Sequence, residues 1–324
     1  MSTREPISPT PVAAEPHRAS AALTAGLVDD AAIFPPGNAP LDLAVTEHRA
    51  HRGAWYAPAI GPLLVRLSDA ETLNALLRDD EGLAVGLVCP AQASADDVER
   101  GLDDVQHGHR GVVAAIEQPL SGSGTLASLV GVARRHEARV WAEVSPESTL
   151  DGSLATWLDD VRAAGAGAKY RTGGVQPEAT PSEAQLAAFI AGCVARRLPF
   201  KLTAGLHHAV RHTAVASGAQ GQDLEQHGLL NVVGAVAAAL VEADESAVAL
   251  LLADRDPGRV TARVAGLDAD TVRRVRSAFV SFGCCGVTDP LNDLVTLGLV
   301  GPSPLERGVL EHDVLARPAD KETS

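Results

Sequence analysis

The chain has 324 residues, 46% of them hydrophobic, enough for one large core or two. Its net charge of −14 argues against nucleic acid and anionic membranes as partners, and 3% aromatic residues leave little to stack on bases.

Residues 1–18 are rich in proline and serine and lack the apolar stretch of a signal peptide, so they read as a disordered tail. A short helix fits 19–28. Residues 30–34 read as a first strand, stopped by Pro35-Pro36-Gly37. Residues 41–52 have helical spacing, with His48, His51 and Arg52 on a solvated face. A rhythm then sets in. Nearly continuous apolar runs at 62–67, 83–89, 112–120, 139–144, 166–171, 200–204 and 278–283 alternate with amphipathic stretches of helical length. Such runs suit strands buried on both faces of a parallel sheet. Ser68 to Glu71 and Thr180 to Glu183 have the form of capping boxes, the latter with Pro181 at the first helical position. Ser94 to Asp97 gives an acidic first turn.

Eight strands alternating with helices favour a (β/α)8 barrel of TIM type over 19–300, followed by a C-terminal extension over 301–324; an open doubly wound sheet is the alternative. No strand is followed by GxGxxG, and no cofactor is expected. A long insertion of about 70 residues separates strands seven and eight. Its first part, 209–226, is rich in Gly, Ala, Ser and Gln and reads as a lid over the barrel mouth or a surface insertion. An apolar helix over 229–241 follows, with His227 at its start facing solvent or, as the alternative, reaching the mouth as part of a lid. Thr288 or Asp289 is placed to cap the helix after the last strand.

In such a barrel the active site lies at the C-terminal ends of the strands. Four charged residues fall on four consecutive strands: Glu117, Glu143, Lys169 and Lys201. The chain holds only three lysines against 24 arginines, and two of the three occupy these similar places, each followed by a glycine turn. Arginine stays protonated, whereas a desolvated lysine beside a second ammonium loses proton affinity and becomes a nucleophile. The free amine forms an iminium with an aldehyde or ketone, and a carboxylate moves the protons. Arg171, Thr172, Gly173, Gly205, His207, His208, Ser281 and Gly283 lie at the same strand ends as candidate substrate-binding residues.

The run Ala166-Gly167-Ala168-Lys169 followed by Thr172-Gly173, the second lysine before Ala204-Gly205, and the turn Phe282-Gly283 resemble the deoxyribose-phosphate aldolases, class I aldolases on a (β/α)8 barrel. The resemblance implies a Schiff-base lysine at Lys169, a neighbour lowering its pKa at Lys201, and Glu117 roughly where that family has an aspartate. The chain departs from the pattern at Arg171, at Leu206-His207-His208 and at Cys284-Cys285.

The function expected is therefore an aldolase-like lyase acting on a small carbonyl compound. Two rivals are a metal-dependent lyase or hydrolase built on Glu117, Glu143 and His207 or His208, and a non-catalytic barrel that binds a small molecule. Without an HxH or HxxxH spacing, no metal is expected, and adjacent histidines on an extended segment send at most one side chain into a site. Cys89, Cys193, Cys284 and Cys285 show no zinc spacing and read as reduced thiols of a cytoplasmic protein, with Cys284-Cys285 as packing thiols or, alternatively, a redox-active pair. No run of about 18 apolar residues is present, so no transmembrane helix is expected. The expected partner is a small-molecule substrate, with homo-oligomerisation left open.

Overall fold

The computed structural model describes residues 21–120, 123–174, 179–215 and 223–301. The tail expected over 1–18 and the extension beyond Gly301 lie outside these residues.

The apolar runs form a closed, all-parallel barrel. Its strands are β1 (Val28–Asp30), β2 (Ile60–Arg66), β3 (Leu83–Val88), β4 (Gly111–Pro119), β5 (Arg139–Glu143), β6 (Gly167–Arg171), β7 (Phe200–Thr203) and β10 (Phe279–Cys284). They are ordered β1-β10-β7-β6-β5-β4-β3-β2 around the ring. Helices α1 (Leu41–Arg52), α2 (Ala70–Leu76), α3 (Ala95–Gln106), α4 (Ser123–Arg135), α5 (Leu154–Ala164) and α6 (Glu183–Ala195) follow the first six strands in turn. The protein is a (β/α)8 barrel, with the expected insertion between its seventh and eighth barrel strands.

The first strand lies earlier than its sequence suggests, at Val28–Asp30 instead of 30–34. Asp30 explains the stop. Its Oδ1 accepts the backbone N–H of Ala32 at 3.1 Å, a turn that competes with strand pairing, while its Oδ2 meets His48 Nδ1 at 2.9 Å. His48 is consequently buried, not solvated as its helical neighbours imply. The expected helix starts also need two corrections. Ser68 caps nothing, because Leu67–Asp69 forms a separate 3-10 turn. The box expected at Thr180 forms two residues later, where Ser182 Oγ accepts Gln185 N–H at 3.3 Å and Gln185 Oε1 accepts Ser182 N–H at 2.8 Å. The box at Ser94 and Asp97 closes in both directions.

The insertion opens with an antiparallel hairpin, β8 (His212–Val215) and β9 (Asp223–Gln226). The residues that join the two strands, 216–222, lie outside the described ones. Helices α7 (Leu229–Ala239), α8 (Glu245–Ala253), α9 (Pro257–Ala265) and α10 (Ala269–Ala278) complete it. Two buried polar side chains fix the hairpin to the barrel. Arg211 Nη2 reaches Glu183 at 2.6 Å and Glu225 at 2.9 Å. Asn231, inside the apolar α7, accepts the Arg211 backbone N–H at 2.8 Å and donates to the carbonyls of Leu251 and Asp254. His227 is not turned to solvent. It is buried, with Nε2 donating to the Pro181 carbonyl at 2.8 Å and Nδ1 facing Arg211 at 3.2 Å. Burial pushes its pKa down, consistent with a neutral ring that accepts at one nitrogen and donates at the other.

The few aromatic residues are concentrated behind β6, β7 and β10. Tyr170, Phe189, Phe200, Phe279 and Phe282 form one ladder, with successive ring centroids 4.9, 5.5, 5.6 and 6.4 Å apart. Strand alternation fixes the rest: where Tyr170 and Phe200 face outward to α6, their neighbours Lys169 and Lys201 face the barrel axis.

Candidate active site

The two lysines are set side by side by register. Lys169 on β6 is level with Glu143 on β5 and with Lys201 on β7, and Lys201 is level with Ser281 on β10. Inside the barrel the charges alternate in one continuous chain. Lys201 Nζ donates to Asp29 Oδ2 at 2.6 Å and to Glu117 Oε1. Lys169 Nζ lies 2.7 Å from Glu117 Oε2 and 2.8 Å from Glu143 Oε2. Arg171 Nε approaches Glu143 Oε1 at 3.6 Å, and Ser281 Oγ donates to Asp29 Oδ2 at 2.7 Å. Glu117 thus holds one ammonium on each oxygen while itself fully buried.

Asp29 is the member that sequence reasoning left out of the site. A strand placed at 30–34 puts Asp29 before its start. The available signal was an acid immediately after the apolar Leu27-Val28. Its place depends on Gly61 of β2, where a Cβ would collide with the Asp29 carboxylate. Gly61→Ala is expected to displace Asp29 from Lys201 and to lower stability by about 1–3 kcal/mol, read as a lower urea midpoint.

The electrostatics differ from the sequence expectation in sign. Burial and the Lys201 charge both work against the Lys169 proton, but Glu117 and Glu143 outweigh them, and the Lys169 pKa is raised. Lys201 is raised too: burial lowers it, and Asp29 and Glu117 more than compensate. Burial alone would raise Glu117, yet the two ammoniums bring it down to about 2. Asp29 is pushed up, by burial first. Three carboxylates around two ammoniums keep both lysines protonated at rest, whereas a lysine pair beside a single carboxylate would favour a free amine. Cys89, at the end of β3, is pushed up to about 12 by burial and by Glu117, and stays a thiol.

A cavity of about 430 Å³ opens above this chain, within the range of small-molecule sites. Lys169, Glu117 and Glu143 reach it, whereas Lys201 and Ser281 lie beneath, outside its lining. Arg171, Thr172, Gly173, Gly205, His207 and Gly283 line it as well, and so do Leu224 and Gln226 of the hairpin. His208, expected among the substrate-binding residues, lies outside the lining and pairs with Asp293 at 3.1 Å. The Glu117, Glu143 and histidine set needed for a metal is not assembled: His207 is held by Asp289, Cys284 and Cys285. Among the described residues no group of three or more His, Cys, Asp or Glu is arranged to hold a metal ion. Among them, too, no helix is long and apolar enough to cross a membrane.

The two glycine turns that follow the lysines pack against each other. A Cβ on Gly173 would collide with the Ala204 carbonyl, and one on Gly205 would sit 2.9 Å from Thr172 Oγ1. Thr172 N–H and Oγ1 both donate to the Thr203 carbonyl, at 2.8 and 3.2 Å. Ala204 and Leu206, on either side of Gly205, are both left-handed with φ of 57°. Non-glycine residues adopt that conformation at a cost, and such positions gather at functional sites.

No family model and no curated protein matches the sequence. Among solved structures, the chain is similar to the deoxyribose phosphate aldolase of Aeropyrum pernix, a tetramer. The TM-score is 0.46 and the identity 14%, over 86% of this chain and 93% of that one. The likeness is remote; the chemistry rests on the side chains described above.

Proposed function

We propose that the protein is a lysine-imine lyase of aldolase type acting on a small carbonyl compound. The observation that carries this reading is that Lys169 alone of the two lysines reaches the cavity, with a carboxylate 2.8 Å away to take its proton. Glu143 accepts a proton from the Lys169 ammonium, and the neutral amine adds to the carbonyl carbon. The C=O π pair moves to oxygen, which takes one proton from Glu143 and one from the nitrogen and leaves as water while the nitrogen lone pair forms the iminium. That iminium accepts the electron pair of a breaking C–C bond, or, once Glu143 removes a neighbouring proton, supplies the nucleophile for a forming one. Glu117 and Lys201 are positioning residues: Glu117 holds Lys169, and Lys201 keeps Glu117 ionised. Burial of both ammoniums with full pairing favours a second reading, a barrel that binds a small molecule with the ion chain purely structural.

One experiment separates them. The protein is incubated with short aldehydes and ketones, with and without a phosphate group, reduced with borohydride and mapped by mass spectrometry. The lyase reading expects a reduced adduct on Lys169 that is lost in Lys169→Arg. Absence of an adduct with every carbonyl tested overturns it in favour of the binding barrel.

A further inference from the structure

The pair Cys284-Cys285 does not simply pack, and its two thiols are placed differently. Cys284 is buried, and its S–H donates to the Gly286 carbonyl at 3.3 Å; burial pushes its pKa up, so it stays a thiol. Cys285 is half-buried and lines the same cavity as Lys169. Its Sγ lies 3.5 Å from His207 Nε2. The other ring nitrogen of His207, Nδ1, lies 3.0 Å from Asp289 Oδ2. A carboxylate on Nδ1 fixes the tautomer, so that Nε2 faces the thiol as the base. A nucleophile, a base within reach and a third group that orients the base make up the arrangement that activates a side chain for covalent chemistry. The charged and titratable groups facing His207 are Cys284, Cys285 and Asp289. Helix α11 (Thr288–Thr296) begins just after Cys285, and a helix N-terminus also favours a thiolate.

We propose that Cys285, with His207 as base and Asp289 orienting it, is a second nucleophile in the cavity and adds reversibly to an aldehyde. Sulfur bonds to the carbonyl carbon, the π pair moves to oxygen, and the proton that His207 took from the thiol passes to that oxygen. The product is a hemithioacetal, and no oxidant or reductant is consumed. The choice of an aldehyde rests on the carbonyl reading of the cavity, whereas the activation of the thiol does not. Cys285 thereby holds an aldehyde at the mouth, beside the strand ends that carry Lys169.

Alkylation by iodoacetamide, mapped by mass spectrometry on the whole chain, tests this. Cys285 is expected to react before Cys89, Cys193 and Cys284. At neutral pH it should react about ten-fold faster than a free cysteine. His207→Ala should remove that advantage, and Asp289→Asn should remove part of it. Acetaldehyde should slow alkylation of Cys285 in the wild type and equally in Lys169→Arg, where no imine forms. A wild-type rate at neutral pH no faster than that of a free cysteine overturns the proposal without any variant. So does a lack of protection by acetaldehyde in Lys169→Arg. Borohydride trapping at Lys169 is read separately, so failure at the thiol leaves the lyase reading standing.

Discussion

Glu117→Gln is expected to destabilise the protein by about 3–5 kcal/mol, the scale for removing one partner of a buried ion pair. The reason is its position: fully buried, with an ammonium on each carboxylate oxygen. An amide oxygen can accept from one lysine, but it neutralises neither, and two buried ammoniums are left close together. The acid side of the stability curve reports the same residue. The Glu117 carboxyl ionises at about 2 in the folded state against an ordinary 4.5. A depressed folded pKa gives stability that is present above pH 4.5 and lost as pH falls toward 2. That loss should be missing from the Glu117→Gln curve. Asp29, whose pKa is raised, works in the opposite sense and remains in both proteins. Urea denaturation at pH 7 and across the acid range measures both effects. A cost under about 1 kcal/mol would mean that the chain of charges is not held as described.

Lys201→Met is expected to make Lys169 less reactive, although Lys201 lies below the cavity. The Lys201 ammonium opposes the Lys169 proton through space. Without it, Glu117 attends Lys169 alone and the Lys169 pKa rises further. Borohydride-trapped adduct at neutral pH should therefore form about ten-fold more slowly, with its pH profile moved upward. The sign distinguishes this effect from mere loosening of the barrel, which would lower the yield at every pH without displacing the profile. Lys201→Arg keeps the charge and should keep the profile, to the extent that the larger guanidinium fits between Asp29 and Glu117.

The barrel was legible because parallel strands buried on both faces must be apolar throughout, and seven of the runs lie within a few residues of the observed strands. The exception is instructive. β1 is three residues long and two of them are aspartates, one turned to Lys201 and the other to a backbone N–H and His48. Polar groups that a barrel interior needs make its strand look like a loop. Lys169, Glu117 and Glu143 were legible as charges inside apolar runs, since such charges must be paired. The direction of the lysine pKa shifts was not. It depends on how many carboxylates surround two ammoniums, and Asp29 comes from the far end of the chain. His48 and His227 were read as solvated from their sequence neighbours and are buried by partners distant in sequence, Asp30, Arg211 and Pro181. The contact of His207 with Cys285 and Asp289 depends in the same way on two loops meeting at the mouth.

Counted with Arg171, the interior chain sets three carboxylates against three cations. A protein with a net charge of −14 therefore encloses a cavity floor that is close to electrically balanced. Its exterior repels an approaching anion, while its floor exerts little long-range pull on either sign. Entry to such a cavity is governed by contact with its walls instead of by attraction from a distance.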